Sequence, residues 1–263
     1  MNIKKIAAIN LNRVVKNYVY VSKHGPAKGL KRKGGLAFLP GFVPRSTGME
    51  REEAFLEKLN LTGQTVYDIG GDQGIYTLFF ARKVGGQGRV ITFEPNPTSY
   101  KQIITNVELN KFHHVEVRNI GLGEQKSKLT FAFPGFDPGR GSADEKIREQ
   151  ILQEKGARVM EIKINPLDDE IAEAKLPQPA FAKIDVEGLE MSVLLGMKQT
   201  LLNHRPQLFI EIHGADVESK TQNIRQVVSY LLECGYGIHH VESSANITNS
   251  NAPDAKEGHL YCT

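Results

Sequence analysis

The sequence predicts an α/β fold: a mostly parallel, Rossmann-like sheet with helices on both faces and an antiparallel C-terminal edge, preceded by a basic N-terminal helical arm. Three observations lead there. From Glu52 onward, short apolar runs of strand type alternate with stretches of helical spacing, the rhythm of a parallel sheet covered by helices. The first strand run stops at Gly70-Gly71 and passes straight into a helical pattern. Two late strand signals, residues 237–242 and 259–262, suit an antiparallel edge.

The elements follow in order. Ile3, Ile6, Ala7, Leu11, Val14, Val15 and Tyr18 recur at helical spacing and give an amphipathic helix with a cationic polar face. Residues 25–48 are rich in Gly, Pro and Lys without a period and read as a loop or cover over the body. Residues 52–59 look helical. Residues 65–69 form a strand, and 75–83 a helix ending at Gly85-Gly86. Residues 89–94 form a strand closed by Pro95 and Pro97. A helix covers 98–110, with Thr98 or Ser99 as its N-cap. Short strands follow at 115–118 and 128–133. Residues 134–156 break the rhythm with a Gly-rich loop (Gly135, Gly139, Gly141) and a charged helical stretch over 144–155. Then come a strand at 160–164, a short helix at 167–173, a strand at 181–186 and a helix from 188 to about 203. A strand at 207–213 and a helix at 221–234 precede the two late strands. This divides the chain into an arm or cover segment, residues 1–49, and one domain, residues 50–263.

Composition narrows the function. The chain has 263 residues, 40% hydrophobic and 24% charged, enough to bury a core without staples. Two cysteines, Cys234 and Cys262, exclude a disulfide scaffold and a Cys-rich zinc module and suit free thiols in a reducing cytosol. No run reaches the ~18 apolar residues of a membrane span, and the apolar run 6–9 is too short for a secretory signal. A cytoplasmic protein is expected. The net charge of +3 hides an asymmetry: residues 1–49 carry ten Lys and Arg and no Asp or Glu, so the remainder carries a net −7. The acidic body speaks against nucleic acid as a partner. The cationic arm is a solvated helix packed on the body, a weak contact with an anionic membrane surface, or a contact with an acidic partner, and the sequence leaves these open.

The chemistry gathers at strand ends. Asp68-Ile69-Gly70-Gly71-Asp72-Gln73-Gly74 runs from the first body strand into a helix. Its glycines allow a tight turn and close approach of a ligand to the backbone, and the helix offers free N–H groups. Glu94 ends the next strand, 26 residues after Asp68, where a carboxylate accepts hydrogen bonds from ribose hydroxyls. The run reads D-x-G-x-x-x-G rather than the dinucleotide G-x-G-x-x-G. Asp68 and Asp72 would also face a pyrophosphate with negative charge. Both points disfavour NAD and favour a cationic nucleoside such as S-adenosyl-L-methionine. Asp185 and Glu187 lie two apart at the end of a later strand, and Glu211 and His213 do so at the end of the next. Alternation points each pair one way, toward the crevice beyond the strand ends.

Tyr67-Asp68-Ile69-Gly70-Gly71-Asp72-Gln73-Gly74-Ile75-Tyr76-Thr77, Phe93-Glu94-Pro95-Asn96-Pro97, Leu167-Asp168-Asp169, Lys183-Ile184-Asp185-Val186-Glu187-Gly188-Leu189-Glu190 and Ile210-Glu211-Ile212-His213-Gly214 together resemble the FkbM-type methyltransferases. The likeness runs from about Glu52 to the C-terminus, and its first motif departs by reading Gly-Gly-Asp-Gln-Gly where Gly-Ala-Asn-x-Gly is common. The resemblance implies a class I methyltransferase fold, S-adenosyl-L-methionine as cofactor, and O-methylation of a hydroxyl on a sugar or natural product. On this basis Asp68, Gly70, Gly71, Asp72, Gly74, Tyr76, Thr77, Glu94, Pro95, Asn96 and Asp185 are the expected cofactor residues.

For the transfer itself, an alcohol needs a base as attack develops. His213 is the expected base, because its ordinary pKa of about 6.5 suits neutral pH. Asp185 orients it or shares the proton, and Glu187 holds the acceptor. A second scheme has Asp185, Glu187 or Glu211, and His213 hold a divalent metal that acidifies the hydroxyl; lacking a metal-specific spacing, it ranks below the metal-free base. Asp185-Val186-Glu187-Gly188 replaces the Asn/Asp-Pro-Pro-aromatic loop of methylases that act on planar amines. Residues 25–48 and 134–156 are the expected walls of the acceptor site, where Arg140, Lys146 and Arg148 would suit an acidic acceptor. The alternative is a non-catalytic protein on the same fold that binds through its basic arm.

Overall fold

The computed structural model describes residues 18–34, 47–134 and 141–263, residues 47–50 by their backbone alone. The amphipathic helix expected over residues 3–18 lies almost wholly outside the described residues.

The stretch expected as a loop, residues 25–48, contains one strand of a hairpin whose other strand precedes it. β1 (Val19–Val21) pairs antiparallel with β2 (Lys31–Lys33). Next come helix α1 (Thr47–Lys58), strand β3 (Thr65–Ile69), helix α2 (Ile75–Val84), strand β4 (Arg89–Phe93) and helix α3 (Pro97–Leu109). Side chains of α3 and of its C-cap Asn110 satisfy the free edge of β2: Asn110 bonds both Lys31 N–H (2.9 Å) and Lys31 C=O (2.7 Å), Asn106 accepts from Lys33 N–H (2.8 Å), and Gln102 donates to Lys33 C=O (3.0 Å). No local period could announce a hairpin whose edge is covered from 69 to 79 residues away. Asn96, not Thr98 or Ser99, caps α3: its side chain accepts from Thr98 N–H at 2.9 Å. Pro97 then occupies the first helical position, where a missing N–H costs nothing.

The chain continues through β5 (Val115–Arg118), β6 (Gly121–Leu122), β7 (Ser127–Phe133), α4 (Glu145–Leu152), β8 (Arg158–Asn165), α5 (Leu167–Ala174), β9 (Phe181–Ile184), α6 (Glu190–Gly196), α7 (Lys198–Asn203), β10 (Gln207–Glu211), α8 (Val217–Glu233), β11 (Ile238–His240), β12 (Ala245–Ile247), a 3₁₀ turn (Ala252–Ala255) and β13 (His259–Cys262). The helix expected over 188–203 is two helices. A Cβ on Gly196 would meet the Gly123 carbonyl at 1.9 Å, so the chain must pass closely there. Asp168 then caps the second piece, accepting from Gln199 N–H (2.7 Å), Thr200 N–H (3.0 Å) and Thr200 Oγ1 (2.6 Å).

The main sheet has eight strands in the order β12-β11-β13-β10-β9-β3-β4-β5. From β10 to β5 every pair is parallel. β13 runs antiparallel between β10 and β11, and β12 closes the edge antiparallel to β11. Strict alternation divides the core. Tyr67, Ile69, Ile91, Phe93, Ala182, Ile184, Leu208 and Ile210 face one cluster together with Leu194, Leu201 and Leu231. Val66, Val90, Phe181 and Phe209 face the other, with Phe79 and Phe80 of α2. The second face becomes polar toward the strands' carboxyl ends: Asp68 pairs with Thr92 on one side and Lys183 on the other, and Glu211 pairs with His259.

The strands expected at 128–133 and 160–164 do not join this sheet. With β6 they form a separate three-stranded sheet, β6-β8-β7, whose Phe131, Phe133, Ile162 and Ile164 build a small core of their own. Cys234 and Cys262 are free and buried. Among the described residues no helix is long and apolar enough to cross a membrane.

Candidate active site

A cavity of about 250 Å³ opens beyond the carboxyl ends of β3, β4 and β9. One wall is the glycine turn and the tip of β4: Gly70, Asp72, Gln73, Phe93, Glu94 and Pro95. Another is Asp185, Val186, Glu187 and Leu189, just past β9, and the roof comes from the three-stranded sheet through Phe131, Ile162 and Ile164.

The turn is shaped for this position. Gly70 has φ +88°, and a Cβ there would lie 1.8 Å from the Asp185 carbonyl, so only glycine lets β3 and β9 end this close together. Gly70 and Gly71 donate to the Phe93 carbonyl at 3.0 and 3.2 Å. Asp72 N–H donates to Glu94 Oε2 at 2.9 Å, and Asn96 N–H to Glu94 Oε1 at 2.7 Å. Burial pushes the Glu94 carboxyl up to about 8, although these two N–H groups favour its charged form.

Of the residues expected to bind a cofactor, Gly70, Asp72, Glu94, Pro95 and Asp185 line the cavity, whereas Asp68, Gly71, Gly74, Tyr76, Thr77 and Asn96 do not. Asp68 is fully buried beneath the turn, accepting from Thr77 Oγ1 at 2.6 Å, with Thr92 Oγ1 3.2 Å beyond. Burial pushes it up to about 6, against the pull of Lys183 and Thr77. Gly71 and Gly74 pack against Ile103 of α3. Asn96 caps α3. Tyr76 covers Lys183, whose Nζ lies 4.7 Å from the ring centre.

Lys183 is a residue that sequence reasoning passed over, although it stands in the most specific motif. It is 1% exposed. Its Nζ donates to Asp185 Oδ2 at 2.7 Å. Burial alone would discharge it, but the carboxylates of Asp185, Asp68, Glu52 and Glu211 outweigh that and hold it charged.

The expected catalytic residues come together at the cavity's edge. His213 Nε2 lies 3.5 Å from Glu211 Oε1, 3.7 Å from Asp185 Oδ1 and 3.9 Å from Glu187 Oε2. Its Nδ1 lies 2.9 Å from Oε1 of Glu190, which is fully buried. Burial opposes the charged imidazole, yet Glu190, Glu211 and Asp185 raise its pKa well above the ordinary value. The raised pKa favours the imidazolium, whereas the base role expected of His213 uses the neutral ring. Glu187 is held in the left-handed region (φ +53°) and is followed by Gly188 at φ +101°. Burial raises its pKa, against the pull of His213. Glu211 Oε2 reaches onward to His259 Nε2 at 3.6 Å, and His259 meets Glu242 at 2.7 Å and Glu52 at 3.4 Å.

Of the expected acceptor walls, Gly141 and Ala143 line the cavity, and residues 135–140, including Arg140, and 35–46 lie outside the described residues. Arg148 Nη1 turns back to the Ala143 carbonyl at 3.3 Å.

A family model described as a methyltransferase FkbM domain matches residues 68–238, from the glycine turn to the start of β11. The chain belongs to the FkbM methyltransferase family. Among curated relatives, Methyltransferase 1 of Beauveria bassiana is 29% identical over 146 residues, which is 50% of this chain and 57% of that protein. The hexuronic acid methyltransferase AglP of Haloferax volcanii is 26% identical over 158 residues, 60% of this chain and 59% of that protein. This FkbM-family chain thus matches less than two thirds of the length of either. The crystal structure of a methyltransferase FkbM from Methylobacillus flagellatus superposes with a TM-score of 0.51 at 22% identity, covering 79% of this chain and 45% of that one. The fold is that of class I methyltransferases.

Proposed function

We propose that this chain is an S-adenosyl-L-methionine-dependent O-methyltransferase that acts on a hydroxyl of a carbohydrate or of a glycosylated or natural-product small molecule. One observation carries the reading: Glu94 at the tip of β4 and the Asp185–Glu187 pair beyond β9 border the same cavity. A nucleoside seat therefore adjoins a cluster that can take a proton.

The residues fit the cofactor. A carboxylate has about four acceptor positions, and the two N–H bonds to Glu94 leave capacity for a pair of ribose hydroxyls. Phe93, Pro95, Leu122 and Ile164 offer an apolar seat to a purine. Asp72, Asp185 and Glu187 put negative charge around a cationic ligand and against a pyrophosphate. Bound there, S-adenosyl-L-methionine supplies a methyl carbon activated by the sulfonium. The chain's own work is alignment, exclusion of water beneath the roof formed by Phe131, Ile162 and Ile164, and removal of the acceptor's proton into the Asp185–Glu187–His213 set.

A saccharide acceptor is supported by the Haloferax volcanii relative, whose name gives a hexuronic acid as its substrate. The body's net negative charge argues against nucleic acid. The test is release of S-adenosylhomocysteine on incubation with the cofactor and a panel of uronic acid glycosides and neutral glycosides. Turnover on at least one saccharide, abolished in Glu187→Gln, supports the proposal. Cofactor binding without turnover on any saccharide or other hydroxylated small molecule would favour a binding protein on this fold.

A further inference from the structure

We propose that Asp185, Glu211 and His213 hold a divalent transition-metal cation at the edge of the cofactor cavity, with Glu187 beside it as the proton acceptor. One ligand atom from each of Asp185, Glu211 and His213 can be chosen so that all lie within 4.8 Å of one another.

Spacing is the first argument. His213 Nε2 faces Glu211 Oε1 at 3.5 Å and Asp185 Oδ1 at 3.7 Å. A hydrogen bond from a ring N–H to a carboxylate closes to about 2.7–3.2 Å, and neither contact does so. Two ligands about 2.1 Å from a shared ion, at angles between octahedral and tetrahedral, stand roughly 3.0–3.5 Å apart. The two contacts of His213 stand at or just above the spacing of ligands, and the third pair lies within 4.8 Å.

Orientation is the second argument, and it is independent of the first. Glu190 is an acceptor-only carboxylate, so the proton of the neutral imidazole sits on Nδ1 and the Nε2 lone pair points into the cluster. Metal-bound histidines are held in this way, with the second nitrogen on a carboxylate. Glu190 is itself fixed by Gly188 N–H at 3.1 Å and Asn223 Nδ2 at 2.6 Å. The carboxylates are braced too. Lys183 takes Asp185 Oδ2 at 2.7 Å, leaving Oδ1 for the cluster. His259 faces Glu211 Oε2, leaving Oε1.

One imidazole nitrogen with two carboxylate oxygens suits ions of the Mn²⁺ to Zn²⁺ series better than all-oxygen Mg²⁺ or Ca²⁺ sites. The ion's role, unlike its binding, rests on the methyl-transfer reading. An acceptor hydroxyl against the ion is acidified. Its proton passes to the Glu187 carboxylate, the O–CH₃ bond forms as the S–CH₃ bond breaks, and the sulfur keeps the bonding pair as a neutral thioether.

The test is Mn²⁺ titration of the chelator-treated full chain, read from the paramagnetic resonance signal of free Mn²⁺. Saturable binding of a single ion, weakened roughly tenfold or more in Glu211→Gln and in His213→Gln but unchanged in the exposed Glu161→Gln, supports the site. Asp185→Asn replaces either variant that fails to melt cooperatively by circular dichroism. Absence of saturable binding, or binding indifferent to these substitutions, overturns it. Calorimetry with S-adenosyl-L-methionine on the same chelated samples separates the two proposals: cofactor binding without Mn²⁺ binding removes the metal alone, and loss of cofactor binding removes the methyl-transfer reading.

Discussion

Glu190 accepts from His213 through a 2.9 Å contact to Nδ1, from a position with no solvent exposure. The same carboxylate bonds Gly188 N–H and the Asn223 amide, and that amide also donates to the His213 carbonyl at 2.9 Å. One buried side chain thus ties the loop after β9, the start of α6 and the α8 helix to the imidazole. It fixes both where His213 stands and which nitrogen faces the carboxylates of Glu211, Asp185 and Glu187.

Glu190→Ala leaves an imidazole, an amide and a backbone N–H without their buried acceptor. The expected cost is about 3–5 kcal/mol, seen as a fall of roughly 6–20 °C in Tm by scanning calorimetry. Glu190→Gln, which keeps an acceptor oxygen, loses less.

Lys183→Met removes the cation between Asp68 and Asp185 and leaves two carboxylates in a space built for three charges. A loss of about 3–5 kcal/mol is expected, measured by urea unfolding. The double variant Lys183→Met/Asp68→Asn recovers part of it, because the uncompensated buried charge is then smaller.

Gly70→Ala places a methyl group on the Asp185 carbonyl at a positive φ. Both faults act together, and nothing nearby can yield, since the obstacle is backbone. Loss of more than about 3 kcal/mol is expected, measured by urea unfolding, whereas Gly85→Ala, with no atom within 4 Å, costs only the strain of its own backbone (φ +68°, ψ 179°), about 1–3 kcal/mol.

Much of this was legible in the sequence. The parallel strands announce themselves because apolar runs such as Val66-Tyr67 and Phe181-Ala182 end in Gly, Pro or acidic residues. Alternation groups Asp185 with Glu187 and Glu211 with His213, but β9 ends at Ile184 and β10 at Glu211, so the loops beyond them, with Glu187 at φ +53°, set where these side chains stand. What stayed hidden depends on pairing over long separations. β7 and β8 look like any other strands, and only their antiparallel register with each other, Leu129 opposite Ile162, removes them from the main sheet. His259 reaches Glu211 because β13 inserts beside β10, a choice no local signal records. Asp68 looks like a ligand-facing carboxylate in the motif, yet it is fully buried beneath the glycine turn, where it accepts from Thr77 and feels the charge of Lys183. Glu190 reads as a helix-start acid, and its partner His213 is 23 residues away.

The pH dependence of cofactor affinity follows from Glu94. Burial holds it at about 8, so below that pH it is mostly neutral and offers one fewer acceptor to the ribose. Bound hydroxyls favour the ionised form, so affinity rises with pH. From pH 6.5 to 8.5 the dissociation constant for S-adenosyl-L-methionine falls by roughly tenfold, and in Glu94→Gln the titration is flat across that interval.

Isothermal calorimetry of S-adenosyl-L-methionine against the wild-type chain and Glu94→Ala decides whether the cavity at the tips of β3 and β4 is a nucleoside site. Saturable binding that weakens at least about tenfold in the variant, the value of one to two charge-assisted hydrogen bonds, is the predicted result. A wild-type chain that binds nothing, or a variant that binds equally well, would contradict it.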